Sequence, residues 1–308
     1  MAAAVRVLDS LARLDATFRQ RQLGLQVGAG LIISRTFAQI SPEDIVAETS
    51  PDVEEWLDRS SLLTLAMRRR ASAEARAFYD DVHDVMSPGT PRHDHEEPDL
   101  PDMEQLRTSL FVTGVVRARA KIKDLPQRPQ AFTSGDLESF FERQRGDTPG
   151  RSLIERQLSV IDSAYPAQLE EVMSSSGDHA GAAGARHVGN GAREQIQDSA
   201  KADRRAIGWI RVTSGEPCYF CAMLASRGPV YSVDSFDDSD ALFDGAGHHK
   251  VHDNCGCSMR QVYTRKADEY PQLNVDLELG WRDLTDKLGH SPSLEEWRNN
   301  YEGSTARR

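Results

Sequence analysis

The sequence predicts a mainly α-helical protein that carries one small α+β unit in its C-terminal half. Apolar residues recur at helical spacing through most of the chain. Serine–proline pairs followed by acidic residues, at Ser41-Pro42 and Ser50-Pro51, are typical of helix starts. Alternation of the β type marks two short stretches, residues 209–213 and 258–263, and the segment 228–231 is typical of a turn into another short strand.

The composition is polar for a globular enzyme of 308 residues, since hydrophobic residues make up 39% and aromatic residues only 7%. We therefore expect long exposed helices whose core is completed by partner proteins. The net charge of -11 argues against a coat on nucleic acid, because neutralising phosphates requires a basic face. No apolar run approaches the ~20 residues that cross a bilayer, and the first residues lack the apolar core of a signal peptide. We expect folding in a reducing cytoplasm, without a membrane.

Five regions are predicted to follow one another along the chain. In the N-terminal region, two helices are expected, at about 3–39 and 53–85, and the earlier helix is expected to be interrupted at Gly28 and Gly30. The regions are an N-terminal helical region at 1–86, an acidic proline-rich linker at 87–102, a helical region at 103–173, the α+β unit at 174–265 and a helical tail at 266–308.

Two stretches of unusual composition interrupt the helical pattern. The linker contains His93-Asp94-His95-Glu96-Glu97, which offers metal ligands but lies in an acidic, proline-rich setting typical of solvated chain. Residues 174–191 are rich in Ser, Gly and Ala and match neither G-x-G-x-x-G nor a Walker pattern, so we expect no phosphate loop. A closely packed helix of small residues and a flexible loop both fit this second stretch.

All four cysteines of the chain lie in two close pairs. Cys218 and Cys221 form a C-x-x-C turn, and Cys255 and Cys257 follow after thirty-three residues, with His252 three positions before Cys255. Such pairs are typical of one closed zinc site, held by four thiolates or by three thiolates and the imidazole. Two alternatives stay open, namely two disulfides in an oxidising compartment and unpaired thiols.

Motifs that would fix a catalytic site are missing from the sequence. Neither a G-x-S-x-G elbow nor an S-x-x-K pair occurs, and no serine–histidine–acid triad can be assigned. His252 is a weak candidate for a general base beside a cysteine nucleophile, and it also fits as a metal ligand or as an anchor of the turn. The residues themselves therefore favour a protein that is not an enzyme.

The cysteine region resembles a family of phage proteins. The segment at 208–231, which includes Cys218-Tyr-Phe-Cys221, and the closing His252-Asp253-Asn254-Cys255-Gly256-Cys257 are similar to head-morphogenesis proteins related to the phage Mu F protein. The resemblance is strongest to the actinobacteriophage form, which is often labelled a capsid maturation protease. The family pattern is commonly H-P-x-C-x-C, so Asp253 departs from it at the proline and leaves the shape of that turn in doubt.

This resemblance implies a minor capsid protein of a tailed phage. Such a protein lies inside the virion near the portal, and in the host cytoplasm during assembly, and acts in head assembly and in DNA packaging or delivery. The implied partners are the portal protein, the scaffold protein and the major capsid protein, with incidental contact to packaged DNA. The family label also implies an alternative, a prohead peptidase that trims scaffold or major head protein.

Overall fold

The computed structural model describes residues 2–125, 148–213, 215–228, 255–266 and 269–305, and the side chains of 6–125, 165–213, 215–228, 255–266 and 269–303. Helices dominate these residues, and the only strands among them form one small sheet. The prediction of a mainly helical chain with a small C-terminal α+β unit is confirmed at this level. No helix within the described part of the chain is long and apolar enough to cross a membrane.

The elements follow in a simple order along the chain. They are α1 (Ala2–Phe37), α2 (Pro42–Val46), α3 (Pro51–Met86), α4 (Met103–Leu110), a π-helical turn (Phe111–Val116), α5 (Arg117–Asp124), α6 (Thr148–Ala202), β1 (Gly208–Val212), α7 (Tyr219–Ala225), β2 (Ser258–Val262), α8 (Gln272–Leu288) and α9 (Leu294–Thr305).

The chain divides into two compact units, each built from stretches that are distant in sequence. The first unit comprises Met1–Ala29, Leu62–Asp102 and Gly184–Arg308, and the second comprises Gly30–Ser61 and Met103–Ala183. Helices α1, α3 and α6 each supply residues to both units. The five consecutive regions expected from composition remain a prediction.

Helix α1 runs without a break through Gly28 and Gly30, where the sequence predicts an interruption. A helical glycine costs about 1 kcal/mol relative to alanine, which the surrounding helix and its packing outweigh. Gly30 has a packing role in the second unit, because its carbonyl oxygen lies 2.5 Å from the position that a Cβ on Gly181 would occupy. The expectation of a break there is therefore wrong.

The Ser/Gly/Ala-rich stretch is the middle of the 55-residue helix α6, so the helical alternative is the one observed. Its glycines permit close approach of neighbouring helices. In the second unit, a Cβ on Gly177 would lie 2.9 Å from the Ser34 carbonyl oxygen. In the first unit, a Cβ on Gly191 would lie 2.5 Å from the Arg68 carbonyl oxygen. Small residues are thus required where α6 meets α1 or α3 inside each unit.

The core of the first unit joins α1, α3 and α6 to the sheet. Phe18 of α1 stacks on Phe78 of α3, with ring centroids 4.2 Å apart. Ile196 of α6, Trp209 of β1 and Met259 of β2 complete this apolar cluster. Leu11, Phe18 and Phe78, which belong to the apolar residues at helical spacing in the sequence, are all buried.

The two strands pair antiparallel and are buried along their whole length. Gly208 lies opposite Val262, and Val212 lies opposite Ser258. All five residues of each strand are buried, although the sequence of each strand alternates between apolar and polar residues. Burial extends to Arg260, whose guanidinium forms an ion pair of 2.6 Å with the buried Asp15 of α1.

Helices α8 and α9 pack against α7 through an apolar cluster that includes Phe220, Leu224 and Trp297. The indole N–H of Trp297 donates to the Tyr219 carbonyl at 2.8 Å. The Tyr301 hydroxyl donates to the Pro217 carbonyl at 2.8 Å. The predicted helical tail thus holds in place the turn that carries the first cysteine pair.

Candidate metal centre of clustered cysteines

The first cysteine pair lies at the start of α7, shortly after β1 ends. Cys218 is the residue that caps α7, and its Sγ accepts a hydrogen bond of 3.4 Å from the Cys221 N–H. Cys221 follows one turn later and is buried among the side chains of the helix. The C-x-x-C spacing therefore turns both sulfurs toward the same end of the helix.

The second pair lies immediately before β2, and the sheet brings the two pairs together. Because β1 and β2 are antiparallel and Val212 is opposite Ser258, the end of β1 and the start of β2 lie at one edge of the sheet. The chain leaves β1 toward Cys218 and enters β2 directly from Cys257. Strand pairing thus explains how two turns that are far apart in sequence meet in space.

Three sulfurs form a cluster with the dimensions of a metal site. The Sγ atoms of Cys221, Cys255 and Cys257 all lie within 4.8 Å of one another, and all three residues are buried. The distance from Cys221 Sγ to Cys255 Sγ is 3.6 Å. In a tetrahedral site with Zn–S bonds of about 2.3 Å, neighbouring sulfurs are about 3.8 Å apart. These three cysteines are therefore close enough together to hold a metal ion.

Of the five predicted ligands, the structure brings these three together. Cys218 is more exposed than the others, and its side chain forms a hydrogen bond with the Cys221 thiol. His252 lies outside the described residues, so its roles as ligand or base stay predictions. All four cysteines are free thiols, which leaves the disulfide alternative without support in this structure.

The clustered thiols share negative charge unequally. Hydrogen bonds from Cys221 and then Cys257 lower the pKa of Cys255 well below its usual range, and the guanidinium groups of Arg193 and Arg211 lower it further. The pKa of Cys221 is raised, first by its hydrogen bonds with Cys218 and Cys255. A metal ion that binds these thiols would displace their protons.

Arg193 is a component of this site that the sequence did not reveal. It lies on α6 and is only 2% exposed, and its Nη1 donates to the Cys257 carbonyl at 3.3 Å. Its Nη2 donates to Asn190 Oδ1 at 2.8 Å and to the Arg186 carbonyl at 3.3 Å. A Cβ on Gly189 would lie 2.9 Å from Nη2, so this glycine makes room for the guanidinium.

The linker contains a second group of polar side chains, which the sequence predicts to be solvated. The His95 side chain is instead only 6% exposed. Its Nδ1 lies 2.8 Å from Ser199 Oγ on α6, and its Nε2 lies 2.9 Å from Asp80 Oδ1 on α3. The expectation of a solvated segment is wrong at His95, because this ring fixes the linker to both helices.

The residues Ser199, His95 and Asp80 have the composition of a hydrolase triad, but the serine is not presented to a substrate. Ser199 lies within a helix and is 2% exposed. Its hydroxyl oxygen also accepts a hydrogen bond of 3.1 Å from Gln195 Nε2. A nucleophilic serine needs an open approach for the carbonyl that it attacks. The burial of Ser199 favours a structural role for this group.

Residues 152–277 match the model of a family described as VG15 protein, a family of phage proteins. The match covers less than half of the chain, and it includes both strands, all four cysteines and Arg193. The match is consistent with a phage protein, but it does not identify the Mu F-related head proteins that the sequence resembles. Neither the comparison with curated proteins nor that with solved structures gave a match.

Proposed function

We propose that this protein is a minor capsid protein of a tailed bacteriophage, which lies near the portal and acts in head assembly and in DNA packaging or delivery. The observation that carries the proposal is the phage-family match over residues 152–277, which spans both cysteine pairs and the sheet that joins them. The resemblance of residues 208–231 and 252–257 to head-morphogenesis proteins supports the same role.

We propose further that the sulfur cluster binds a structural zinc ion. Tetrahedral sites built from thiolate ligands are typical of zinc and of iron–sulfur centres. A single metal ion whose four coordination positions are all filled by protein ligands is typical of structural zinc. Burial of Cys221, Cys255 and Cys257 supports a structural site, because a catalytic zinc keeps one position open to substrate. The ion would hold the turn before α7 to the turn before β2.

The long helices support a role in assembly, because they expose large apolar side chains that a monomer does not bury. Val27 is 55% exposed on α1, and Leu62 is 59% exposed on α3. Val112 and Val116, one helical turn apart after α4, are 51% and 42% exposed. Apolar positions of this kind are suited to contacts with portal, scaffold or major capsid protein.

The composition of purified particles tests the assembly role. We expect quantitative mass spectrometry of procapsids and virions to find the protein at a low and fixed copy number relative to the portal protein. A particle purified from a phage lacking the gene serves as the control. If the protein is present in the infected cell but absent from both kinds of particle, the assembly role is refuted.

The second candidate function is the prohead peptidase implied by the family label, although the burial of Ser199 argues against the serine–histidine–acid set described above as its catalytic site. Asp80, His95 and Ser199 are hydrogen-bonded in the order of a serine hydrolase triad. Co-expression with the major head protein and scaffold would test it, with Ser199→Ala and His252→Ala as paired variants. Cleavage that is lost only in Ser199→Ala would establish the peptidase, and absence of cleavage by the wild-type protein would exclude this triad.

A further inference from the structure

Helices α1 and α3 enclose a groove in the first unit. Its volume is about 500 Å³, and the stacked rings of Phe18 and Phe78 form part of its apolar floor. Exposed small residues, Thr17 on α1 and Ala77 on α3, line the groove and leave room above this floor. A groove between two helices with such a floor is suited to pack against further helices.

The two walls of the groove carry opposite charge. The α1 wall presents Arg13 and Arg21, and the α3 wall presents Glu74, Asp81 and Asp84. Arg21 and Glu74 form an ion pair of 3.2 Å with each other, and Asp84 forms an ion pair with an arginine of the linker. Among the side chains that the structure describes, Arg13 and Asp81 form no ion pair. One cation and one anion on facing walls are therefore available to a partner.

Arg13 and Asp81 lie at the same level along the groove. Helices α1 and α3 run antiparallel, because the stacked phenylalanines precede Arg21 in α1 and follow Glu74 in α3. Arg13 precedes Arg21 by eight residues, and Asp81 follows Glu74 by seven. At a helical rise of about 1.5 Å per residue, both side chains start about 10–12 Å from the ion pair that joins the two walls.

We propose that this groove is the interface of a two-fold symmetric dimer, so that its occupant is a second copy of this chain. A two-fold axis parallel to the helices places α1 of one copy against α3 of the other and keeps each residue at its own level. Arg13 then faces Asp81 of the second copy, and the symmetry forms this contact twice.

The charge pattern allows one of the two face-to-face arrangements. An axis perpendicular to the helices would place α1 on α1 and α3 on α3, which brings like charges together and is unfavourable. The axis parallel to the helices brings each cationic wall onto an anionic wall. The dimer is independent of the metal centre and of the role in the phage head.

The interface of this dimer is small. The lining residues of α1 lie within residues 10–21, which span about 16 Å of helix. Contact of two helix pairs over this length buries less than about 1,200 Å² in total, an area typical of weak association. We therefore expect a dissociation constant of about 1–100 µM, with weaker dimerisation at high salt.

Sedimentation equilibrium of the purified full-length protein tests the dimer, and charge reversal tests the contact. We expect Arg13→Glu and Asp81→Arg each to weaken dimerisation by about 10-fold or more, because like charges then face each other at both symmetric contacts. The double variant Arg13→Glu/Asp81→Arg should restore wild-type dimerisation, because the facing charges are opposite again. Arg35→Glu makes the same charge change at an exposed position of α1 outside the groove and should dimerise like wild type.

Three results of this experiment would overturn the proposal. They are a wild-type protein that stays monomeric up to about 100 µM, single variants that dimerise like wild type, and single variants whose loss the double variant does not restore. An equal loss in Arg35→Glu would also overturn it, because the effect would then come from net charge. Arg13 and Asp81 are both exposed, so circular dichroism should show every variant to be folded.

A photo-cross-link identifies the occupant during infection. A benzophenone amino acid in place of the exposed Ala77 should produce a covalent adduct of two copies of this chain. An adduct with another phage protein alone would overturn the dimer and assign the groove to that protein.

Discussion

A single methyl group at Gly191 provides a sensitive test of how α6 packs in the first unit. A Cβ on Gly191 would lie 2.5 Å from the Arg68 carbonyl oxygen and 2.6 Å from Arg68 Cγ. Ordinary contacts of a methyl group are about 3.4 Å or longer, so α3 and α6 would have to separate by close to 1 Å. That displacement would also disturb the buried ion pair between Arg68 and Glu194.

The expected cost can be worked out from opposing contributions. Alanine in a helix is favoured over glycine by about 1 kcal/mol, whereas overpacking of a well-packed contact costs about 1–3 kcal/mol and more when backbone must move. We expect Gly191→Ala to lower the free energy of unfolding by about 2 kcal/mol. Urea denaturation followed by circular dichroism at 222 nm measures this difference.

Gly28 supplies the matched control, because it lies in α1 with a helical backbone and with no atom within 4 Å of the position that a Cβ would occupy. Gly28→Ala should therefore be neutral or stabilising by up to about 1 kcal/mol. If Gly191→Ala is as stable as Gly28→Ala, the close approach of α6 to Arg68 is wrong.

Three further predictions concern the first unit. Asp15→Asn should lower the free energy of unfolding by about 3–5 kcal/mol, because it leaves the buried Arg260 guanidinium without its ion-pair partner. Glu74→Gln, which removes an exposed ion pair with Arg21, should lower it by less than about 1 kcal/mol. Urea denaturation measures both differences. Burial, followed by the charges of nearby arginines, lowers the pKa of His187 to about 4. Between pH 6.5 and 4, His187 is therefore protonated in the unfolded chain and neutral in the folded chain. The free energy of unfolding should fall by up to about 3 kcal/mol as the pH drops through this range. His187→Gln should reduce this pH dependence. Cys257→Ser should abolish binding of one zinc per chain in elemental analysis and leave most of the helical circular dichroism intact; full zinc content in this variant would contradict the site.

Much of the secondary structure could be predicted from the sequence, because helix starts and apolar periodicity are local properties. The start of α3 after Ser50 and the buried positions Phe18 and Phe78 follow directly from these patterns. The continuity of α6 could not be predicted in the same way. Its glycines are unfavourable in an isolated helix and become favourable only where Gly181 or Gly191 faces the backbone of another helix.

The candidate site shows the same limit. The spacing of the cysteine pairs is visible in the sequence itself, so the convergence of Cys221 with Cys255 and Cys257 could be predicted. Arg193 and His95 were not, because both acquire their surroundings from segments that are far away in sequence. His95 in particular lies in a stretch whose composition is typical of solvated chain, and its burial depends on Asp80 and Ser199.

The contacts between α9 and the turn that carries Cys218 can form only late in translation. The Tyr219 carbonyl gains its partner Trp297 only after the ribosome has added 78 further residues. At ~5–20 residues per second this delay is about 4–16 s. During that interval α7 lacks the apolar contacts that Trp297 of α9 supplies, and the Cys218 turn lacks the hydrogen bond that Tyr301 later provides. If the cysteine cluster binds a metal ion, we therefore expect binding only after α9 has been translated, and nascent chains arrested before α9 should carry no metal.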